Sequence, residues 1–283
     1  MASSRVVLIT GCSTGIGHAT AELLADSGWT VYATARKPET LGDLEAKGCR
    51  TLALDVDSEE SMTAAVGAVE SAEGSVYALV NNAGWSQNGA VETVPIERVR
   101  RQFETNVFGL VRMTQLVLPG MRRAGEGRIV NVSSMGGKIV FPGGGYYHAT
   151  KHAVEAISDA LRYEVAGFGI QVVVIEPGLI KTHFGDTSVA SVGANADGDD
   201  VYGAFNQGVA AATAGAYDGM TGKLGGGPET VARAIQKAVE SKRPRTRYRV
   251  TASAKLLMTQ RRLVSDRVWD RAMRGQFPRP GAS

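Results

Sequence analysis

The sequence predicts an α/β fold: a doubly wound, mostly parallel sheet in a single domain, with a lid and a C-terminal helical extension. Three observations predict it. Short β-branched runs alternate with longer segments of helical period. The runs are continuously apolar rather than alternating, the pattern of strands covered on both faces. A glycine-rich turn joins the first run to the first helical segment. The chain of 283 residues is long enough for one large domain or two small ones, and one sheet absorbs all the expected elements.

In order, strands are expected at Val6–Ile9, Val31–Thr34, Thr51–Leu54, Val76–Val80, Arg128–Val132 and Gln171–Ile175. Helices are expected at Gly15–Ser27, around Pro38–Lys47, and at Ser58–Glu73, Pro95–Arg123 and Tyr146–Phe168, with Pro95 suited to a first helical turn. Between His183 and Gly227 the periodicity degrades into Gly, Ala and Asp, above all over Gly193–Asp200, which reads as an irregular lid. Order resumes with a helix over Pro228–Ser241, a strand near Tyr248–Thr251 and one helix from Lys255 to about Arg274. The division is therefore a main domain over 1–254, with its lid at about 183–227, and a basic helix and tail over 255–283.

Composition excludes several classes. Hydrophobic residues make up 43% and charged residues 21%, which rules out a disordered chain, and the 35 glycines follow no three-residue period, which rules out collagen. Net charge is only +3, but Lys242–Ser283 holds twelve Lys/Arg against two Asp/Glu, a basic appendage of +10 on a body of −7. No nucleic-acid partner is expected. The two cysteines, Cys12 and Cys49, suit a reducing compartment and have no metal-ligand spacing, so no metal is expected. The apolar run Val6–Ile9 is too short for a signal peptide, and the expected location is cytoplasmic.

Val6–Ile9 runs into Thr10-Gly11-Cys12-Ser13-Thr14-Gly15-Ile16-Gly17 and then into helix-forming residues. Glycines permit a tight turn and close backbone approach, and the helix behind them presents unpaired N–H groups to a pyrophosphate. A glycine triplet alone could simply pack. Between the first strand and the first helix it reads as a dinucleotide loop of the Rossmann type. After the second strand the chain continues Thr34-Ala35-Arg36-Lys37, with no acid before Glu39. An acid there would bind a ribose 2′-hydroxyl, whereas Arg36 and Lys37 suit a 2′-phosphate, which points to NADP(H) over NAD(H). The plainer alternative is a solvated basic turn.

Tyr147-His148-Ala149-Thr150-Lys151 sets a tyrosine and a lysine at i and i+4, on one helix face. A phenol starts near pKa ~10. An ammonium at ~4–6 Å lowers such an acid by about 1–3. Tyr147 could then give a proton to a carbonyl oxygen or take one from an alcohol. Taken alone, the pattern is common on surface helices.

Thr10-Gly11-x-x-x-Gly15-Ile16-Gly17, Asn81-Asn82-Ala83-Gly84, Asn106-Val107-Phe108-Gly109, Ser133-Ser134, Tyr147-x-x-x-Lys151 and Pro177-Gly178 occur in that order. The chain thereby resembles the short-chain dehydrogenase/reductase family over residues 5 to about 182. Within it, Tyr32–Arg36 and the basic C-terminal helix look most like the hydroxysteroid- and retinol-dehydrogenase-like members. The resemblance implies Tyr147 as acid/base, Lys151 as its electrostatic partner and ribose ligand, and Asn106 as the holder of a relay water. It implies Ser134 as the hydrogen-bonding partner of the substrate oxygen; Ser133 competes, but the family's spacing to the tyrosine favours Ser134. Tyr146 competes with Tyr147, yet its i+4 neighbour is Thr150.

The implied cofactor contacts are Gly11, Ser13, Thr14, Gly15, Ile16, Gly17, Arg36 and Lys37 on the phosphate side. Asp55 and Val56 would lie at the adenine, Asn82, Ala83 and Gly84 in the cleft, and Pro177, Gly178, Ile180 and Thr182 at the nicotinamide. For Asp55, capping a helix is a strong alternative. The family likeness also implies a homo-oligomer, a dimer or tetramer.

The activity so implied is hydride transfer between NADP(H) and a carbonyl or alcohol. The alternatives are a non-catalytic NADP-binding sensor on the same fold, against which the intact Asn106, Ser134, Tyr147 and Lys151 argue, and a sugar-nucleotide epimerase, against which the missing substrate domain argues. Val189, Val192, Val201, Tyr202, Phe205 and Met220 in the lid, with Trp85, hint at an apolar substrate: a steroid-, retinoid- or lipid-like ketone or aldehyde. Leu256, Leu257, Leu263, Val264, Val268 and Trp269 recur near helical spacing among arginines. They could lie on anionic lipid. The expectation is instead a stripe packed on the protein, with Asp266 and Asp270 paired to Arg262 and Arg274 four residues away, and no membrane contact.

Overall fold

The structure, a computed structural model, describes residues 5–193, 201–218 and 222–281. Its apolar runs form β1 (Val6–Ile9), β2 (Thr30–Ala35), β3 (Arg50–Ala53), β4 (Ala78–Asn81), β5 (Gly127–Val132), β6 (Ile170–Pro177) and β7 (Arg247–Val250). They pair in parallel in the order β3-β2-β1-β4-β5-β6-β7. The chain leaves β1 toward β2 on one side and returns to β4 on the other. That reversal opens a crevice at the carboxyl ends of the strands, where such sheets bind ligands.

Helices cover both faces. Alternate strand residues Val7, Ile9, Val31, Ala33 and Val130 pack against α1 (Gly15–Asp26) through Ala21 and Leu24, and against α9 (Pro228–Glu240) through Val231, Ile235 and Val239. The opposite residues Leu8, Leu79, Ile129 and Val172 pack against α3 (Glu59–Glu73) through Met62, Val66 and Val69, and against α5 (Leu110–Ala124) through Met113, Val117 and Met121. Each such aliphatic side chain contributes ~1.5–3 kcal/mol when fully buried. Two-sided burial is why the inner strands read as largely apolar runs, whereas β3 and β7 at the edges of the sheet are partly exposed. Helix α6 spans Gly145–Val165, and α2 (Gly42–Ala46) follows a 3-10 turn at Pro38–Leu41.

Three expectations need correction. The segment Pro95–Arg123 is not one helix: α4 (Ile96–Phe103) and α5 are joined by a π-helical turn, Glu104–Gly109, with Pro95 just before the first turn. The segment expected to be an irregular lid, 183–227, is not irregular where described: α7 (His183–Gly193) and α8 (Gly203–Asp218) occupy it, with a 3-10 turn at Gly222–Leu224. Small residues carry these helices without a strong apolar stripe, which hid them from the sequence. Val192 and Val209 are buried and Val201 is exposed, while Met220 and residues 194–200 lie outside the described residues.

The third correction concerns the C-terminal helix, which is two helices, α10 (Ala252–Leu263) and α11 (Asp266–Arg274), separated at Val264-Ser265. The expected stripe does not pack as a stripe. Ala254, Met258 and Met273 are buried, whereas Leu256, Leu263 and Val268 are 46%, 79% and 51% exposed. Asp266 pairs across the break with Arg261 rather than with Arg262. Among the described residues, no helix is long and apolar enough to cross a membrane.

The junction of β7 with α10 is strained. Thr251 has φ 82° and ψ 154°, a region that suits glycine almost alone, while its hydroxyl caps α10 by accepting from the Ala254 N–H. Strain of this kind costs ~1–3 kcal/mol. Exchanging a capping threonine for glycine loses only a few tenths. Thr251→Gly is therefore expected to stabilise the protein by about 1 kcal/mol in urea unfolding; a lower midpoint at unchanged slope would show that the hydroxyl contacts outweigh the strain.

Candidate active site

The loop between β1 and α1 is built from close approaches. A Cβ on Gly17 would lie 2.2 Å from the Gly11 carbonyl oxygen and 2.6 Å from Asn82 Nδ2, and one on Gly11 would lie 3.0 Å from Ala83 Cα. Gly11 and Gly15 have positive φ, 73° and 64°. Thr10 Oγ1 accepts the N–H groups of Asn82 and Ala83, and Asn82 Nδ2 donates to the carbonyls of Thr10 and Gly11, all at 3.0 Å. The loop after β4 is thus stitched to the phosphate loop. Ser13 and Thr14 are exposed, Ile16 is half-buried, and Thr14 at the N-cap of α1 makes no side-chain cap. An uncapped helix start behind glycines with no room for a Cβ fits a pyrophosphate. Cys12 points away into the core, and burial pushes its thiol up to about 12.

Arg36 and Lys37 emerge exposed at the end of β2, and among the described residues neither forms an ion pair. Asp55 is half-buried, with its Oδ1 accepting from the Asp57 N–H and its own N–H donating to Ser61 Oγ. Buried Val56 lies under the π-helical turn, where a Cβ on Gly109 would meet its carbonyl oxygen at 2.4 Å. Beyond β6, Thr182 reaches back to the phosphate loop, its Cγ2 3.4 Å from where a Cβ on Gly15 would stand. Ile180 is buried and bridges to Gly226. Pro177 and Gly178 rest on the β7–α10 junction, with a Cβ on Gly178 falling 2.4 Å from both Thr251 Oγ1 and Ser253 Oγ.

The residues expected to form an acid–base group, Tyr147, Lys151 and Asn106, stand close to one another. Lys151 is buried on α6, donates from Nζ to the Val132 carbonyl at 2.9 Å and lies 5.8 Å from the Tyr147 ring centre. Burial pulls its ammonium down to about 8, opposed by the negative charge of Glu155 one turn on. Asn106 is held on the π-helical turn by donating from Nδ2 to the Trp85 carbonyl at 2.9 Å and to Thr150 Oγ1 at 3.1 Å, while its Oδ1 accepts the Trp85 N–H. A Cβ on Gly84 would sit 3.0 Å from Asn106 Oδ1 and 3.8 Å from Lys151 Nζ. The structure brings Asn106, Gly84 and Lys151 together.

The two competing pairs separate by environment. Ser133 is buried with an unpartnered hydroxyl, whereas Ser134 is half-buried and its Oγ accepts the Gly136 N–H at 3.0 Å. Tyr146 donates its hydroxyl to the Val91 carbonyl at 2.9 Å, which occupies it away from Lys151. Sequence reasoning missed His148 and Phe184, whose rings stand 5.7 Å and 5.6 Å from that of Tyr147. His148 accepts at Nδ1 from the Phe141 N–H, and burial pulls it down to about 4, so it is neutral near pH 7. Phe141 in turn meets Trp269 of α11, so the C-terminal helix stands behind the site. No spacing rule marks such ring contacts between distant segments.

Residues 5–192 match the family model described as short chain dehydrogenase. The chain belongs to the short-chain dehydrogenase family. It is 38% identical over 272 residues to the oxidoreductase YbbO of Escherichia coli K12, covering 96% of this chain and 94% of that one. It is 35% identical over 276 residues to an NADPH-dependent 3-dehydrocapnine reductase of Ornithobacterium rhinotracheale, covering 94% and 95%. The solved structure of a short-chain dehydrogenase from Streptomyces avermitilis superposes with a TM-score of 0.77 at 34% identity, over 96% of this chain and 99% of that one. The family is thus an oxidoreductase family, and the likeness to hydroxysteroid and retinol dehydrogenases is not singled out among these matches.

The glycine cradle gives a direct test. Gly17→Ala places a methyl against backbone and is expected to cost ~1–3 kcal/mol of stability. It should also weaken dinucleotide binding at least tenfold by calorimetry; unchanged binding would show that the loop does not approach the ligand.

Proposed function

We propose that the chain is an NADPH-dependent carbonyl reductase, working also in reverse on alcohols, whose substrate has an apolar body. The observation that carries this reading is the grouping of Tyr147, Lys151 and Asn106 around Gly84, beside a loop whose Gly11 and Gly17 have no room for side chains. A nicotinamide dinucleotide held by that loop supplies or accepts the hydride. Tyr147 gives its proton to the developing alkoxide oxygen, and Ser134 donates a hydrogen bond to the same atom. Lys151 stabilises the phenolate left on Tyr147 and binds the nicotinamide ribose. Asn106, fixed through Trp85 and Thr150, holds the water that returns a proton toward the lysine.

NADP(H) is favoured by Arg36 and Lys37, two exposed cations after β2 with no acid between them and the sheet. The NADPH-dependent relative supports the same choice. Asp55 and Val56 face the adenine in this reading, and Pro177, Gly178, Ile180 and Thr182 the nicotinamide. An apolar substrate is favoured by Phe184 over Tyr147 and by Val209 against Gly143. The buried polar groups nearby are already engaged: Gln87 donates to the Ser191 carbonyl, and the Asn88 N–H donates to Ser191 Oγ.

Tyr147→Phe is expected to lower kcat by at least a hundredfold with NADPH affinity nearly unchanged, while Tyr146→Phe costs little. Retention of a tenth of the activity by the Tyr147 variant would remove this tyrosine from the role. For the cofactor, kcat/KM should favour NADPH over NADH, and Arg36→Asp should erase or invert the preference by setting a like charge against the phosphate. Equal values for both cofactors in the parent protein would refute the choice.

A further inference from the structure

Behind the reaction centre lies a charge cluster that the proposed reaction does not use. Glu155 stands one turn beyond Lys151 on α6, with its side chain only 3% exposed. Its Oε2 is 3.0 Å from Lys138 Nζ and 3.1 Å from the Arg247 guanidinium. Arg247 Nε is 3.3 Å from Oε1 of Glu176, a fully buried residue immediately before Pro177, and Arg249 Nε is 3.5 Å from the other oxygen. Arg247 also donates to Asp159 at 2.6 Å. Glu155 Oε1 and both oxygens of Glu176 accept no hydrogen bond among the described residues. Buried carboxylates persist only when balanced by charge.

The position of Glu155 is as telling as its charge. The turn Met135–Gly137, which follows Ser134, lies so flat on α6 that a Cβ on Gly137 would meet Glu155 Cγ at 2.9 Å and the Lys151 carbonyl oxygen at 3.0 Å. Lys138 closes that turn. Arg247 belongs to β7, which leads into the Thr251–Ser253 junction beneath Gly178. One carboxylate therefore touches, directly or through its cations, the segments that carry Ser134, Lys151 and Pro177-Gly178.

We propose that Glu155 is a positioning residue for the reaction: one turn from Lys151 on α6, its buried carboxylate ties the Ser134 turn and β7 to that helix and so fixes the surroundings of the lysine. The proposal rests on Tyr147 and Lys151 being the reaction centre. The charged and titratable groups facing Glu155 are Lys151 and Asp159 on its own helix, Lys138 from the turn after β5, Glu176 from β6, and Arg247 from β7, with Arg249 behind Glu176. Burial and the charge of Glu155 both push Glu176 up. Glu155 opposes the desolvation that lowers Lys151.

The sign of the effect can be read directly. In full-length protein labelled with 13C at lysine Cε, the Lys151 signal is assigned by its loss in Lys151→Arg and followed against pH without any substrate. Glu155→Gln removes the counter-charge and should move the Lys151 midpoint down by about one pH unit. Lys138→Met removes a cation, leaves the carboxylate, and should move the midpoint up. The alkaline limb of kcat for carbonyl reduction should follow in the same directions, because Lys151 is charged only below its midpoint. A merely structural role would lower kcat or thermal stability in both variants without opposite displacements. An unmoved midpoint in Glu155→Gln, a downward one in Lys138→Met, or a kcat limb that ignores the midpoints overturns the proposal. If Glu155→Gln does not fold, Lys138→Met decides alone. Absence of turnover with every carbonyl would defeat the enzymatic reading while the titration still reports on the Glu155–Lys151 pairing.

Discussion

The site depends on keeping an ammonium in a place that disfavours charge. Lys151 is buried, and desolvation, opposed by the charge of Glu155, lowers it to about 8. Its hydrogen bond to the Val132 carbonyl ties the nitrogen to the end of β5, where the peptide before Ser133-Ser134 leaves the sheet. The neighbouring strand ends are polar for a related reason. Asn81 donates to Thr114 and Asn131, and Asn131 to Ser158, so a buried hydrogen-bonded chain crosses from β4 to α6. Buried polar groups must be satisfied, and satisfying them fixes α6 against the sheet in one register. That fixed register holds Tyr147 and Lys151, at i and i+4, in one place against the end of β5.

The second constraint is backbone proximity. The loops after β1, β4 and β6 meet at the glycines, where Gly11 lies on Ala83, Gly17 on Gly11 and Asn82, and Gly15 on Thr182. A methyl at Gly11 or Gly17 would force the phosphate loop apart from its neighbour. The same logic governs Gly109 over Val56 and Gly178 over Thr251 and Ser253. Glycine here is a statement about the distance between chains.

These two constraints explain what the sequence made legible. Inner strands buried on both faces announce themselves as apolar runs, and β1 to β6 are readable to within about two residues, while the glycine loop and the Tyr147–Lys151 spacing are readable as candidates for chemistry. Asn106 was identifiable by motif, but its presentation on a π-helical turn was not: one extra residue per turn leaves no trace in a 3.6-residue period. Helices α7 and α8 escaped because Gly, Ala and Ser positions carry little periodic signal. Glu155 was in plain view at i+4 from Lys151. Its meaning waited on Arg247, some ninety residues later in the chain, being delivered by the last strand.

The segment of α7 and α8 is attached differently from the sheet-packed helices. Beside buried Val192 and Val209, polar groups fasten it to the segment after Gly84: Gln87 and Asn88 bond to Ser188 and Ser191, and the Ala90 N–H to Asn206. These side chains are buried, so each bond contributes ~0.5–1.5 kcal/mol and leaving a partner unpaired costs about 1–3 kcal/mol. The aromatic chain Trp269–Phe141–His148–Tyr147–Phe184 crosses from α11 through the fixed helix α6 to α7. Phe184 on Tyr147 is the contact by which that chain reaches α7. Tyr147 therefore stands where the segment fastened by polar side chains meets the helix fixed on the sheet.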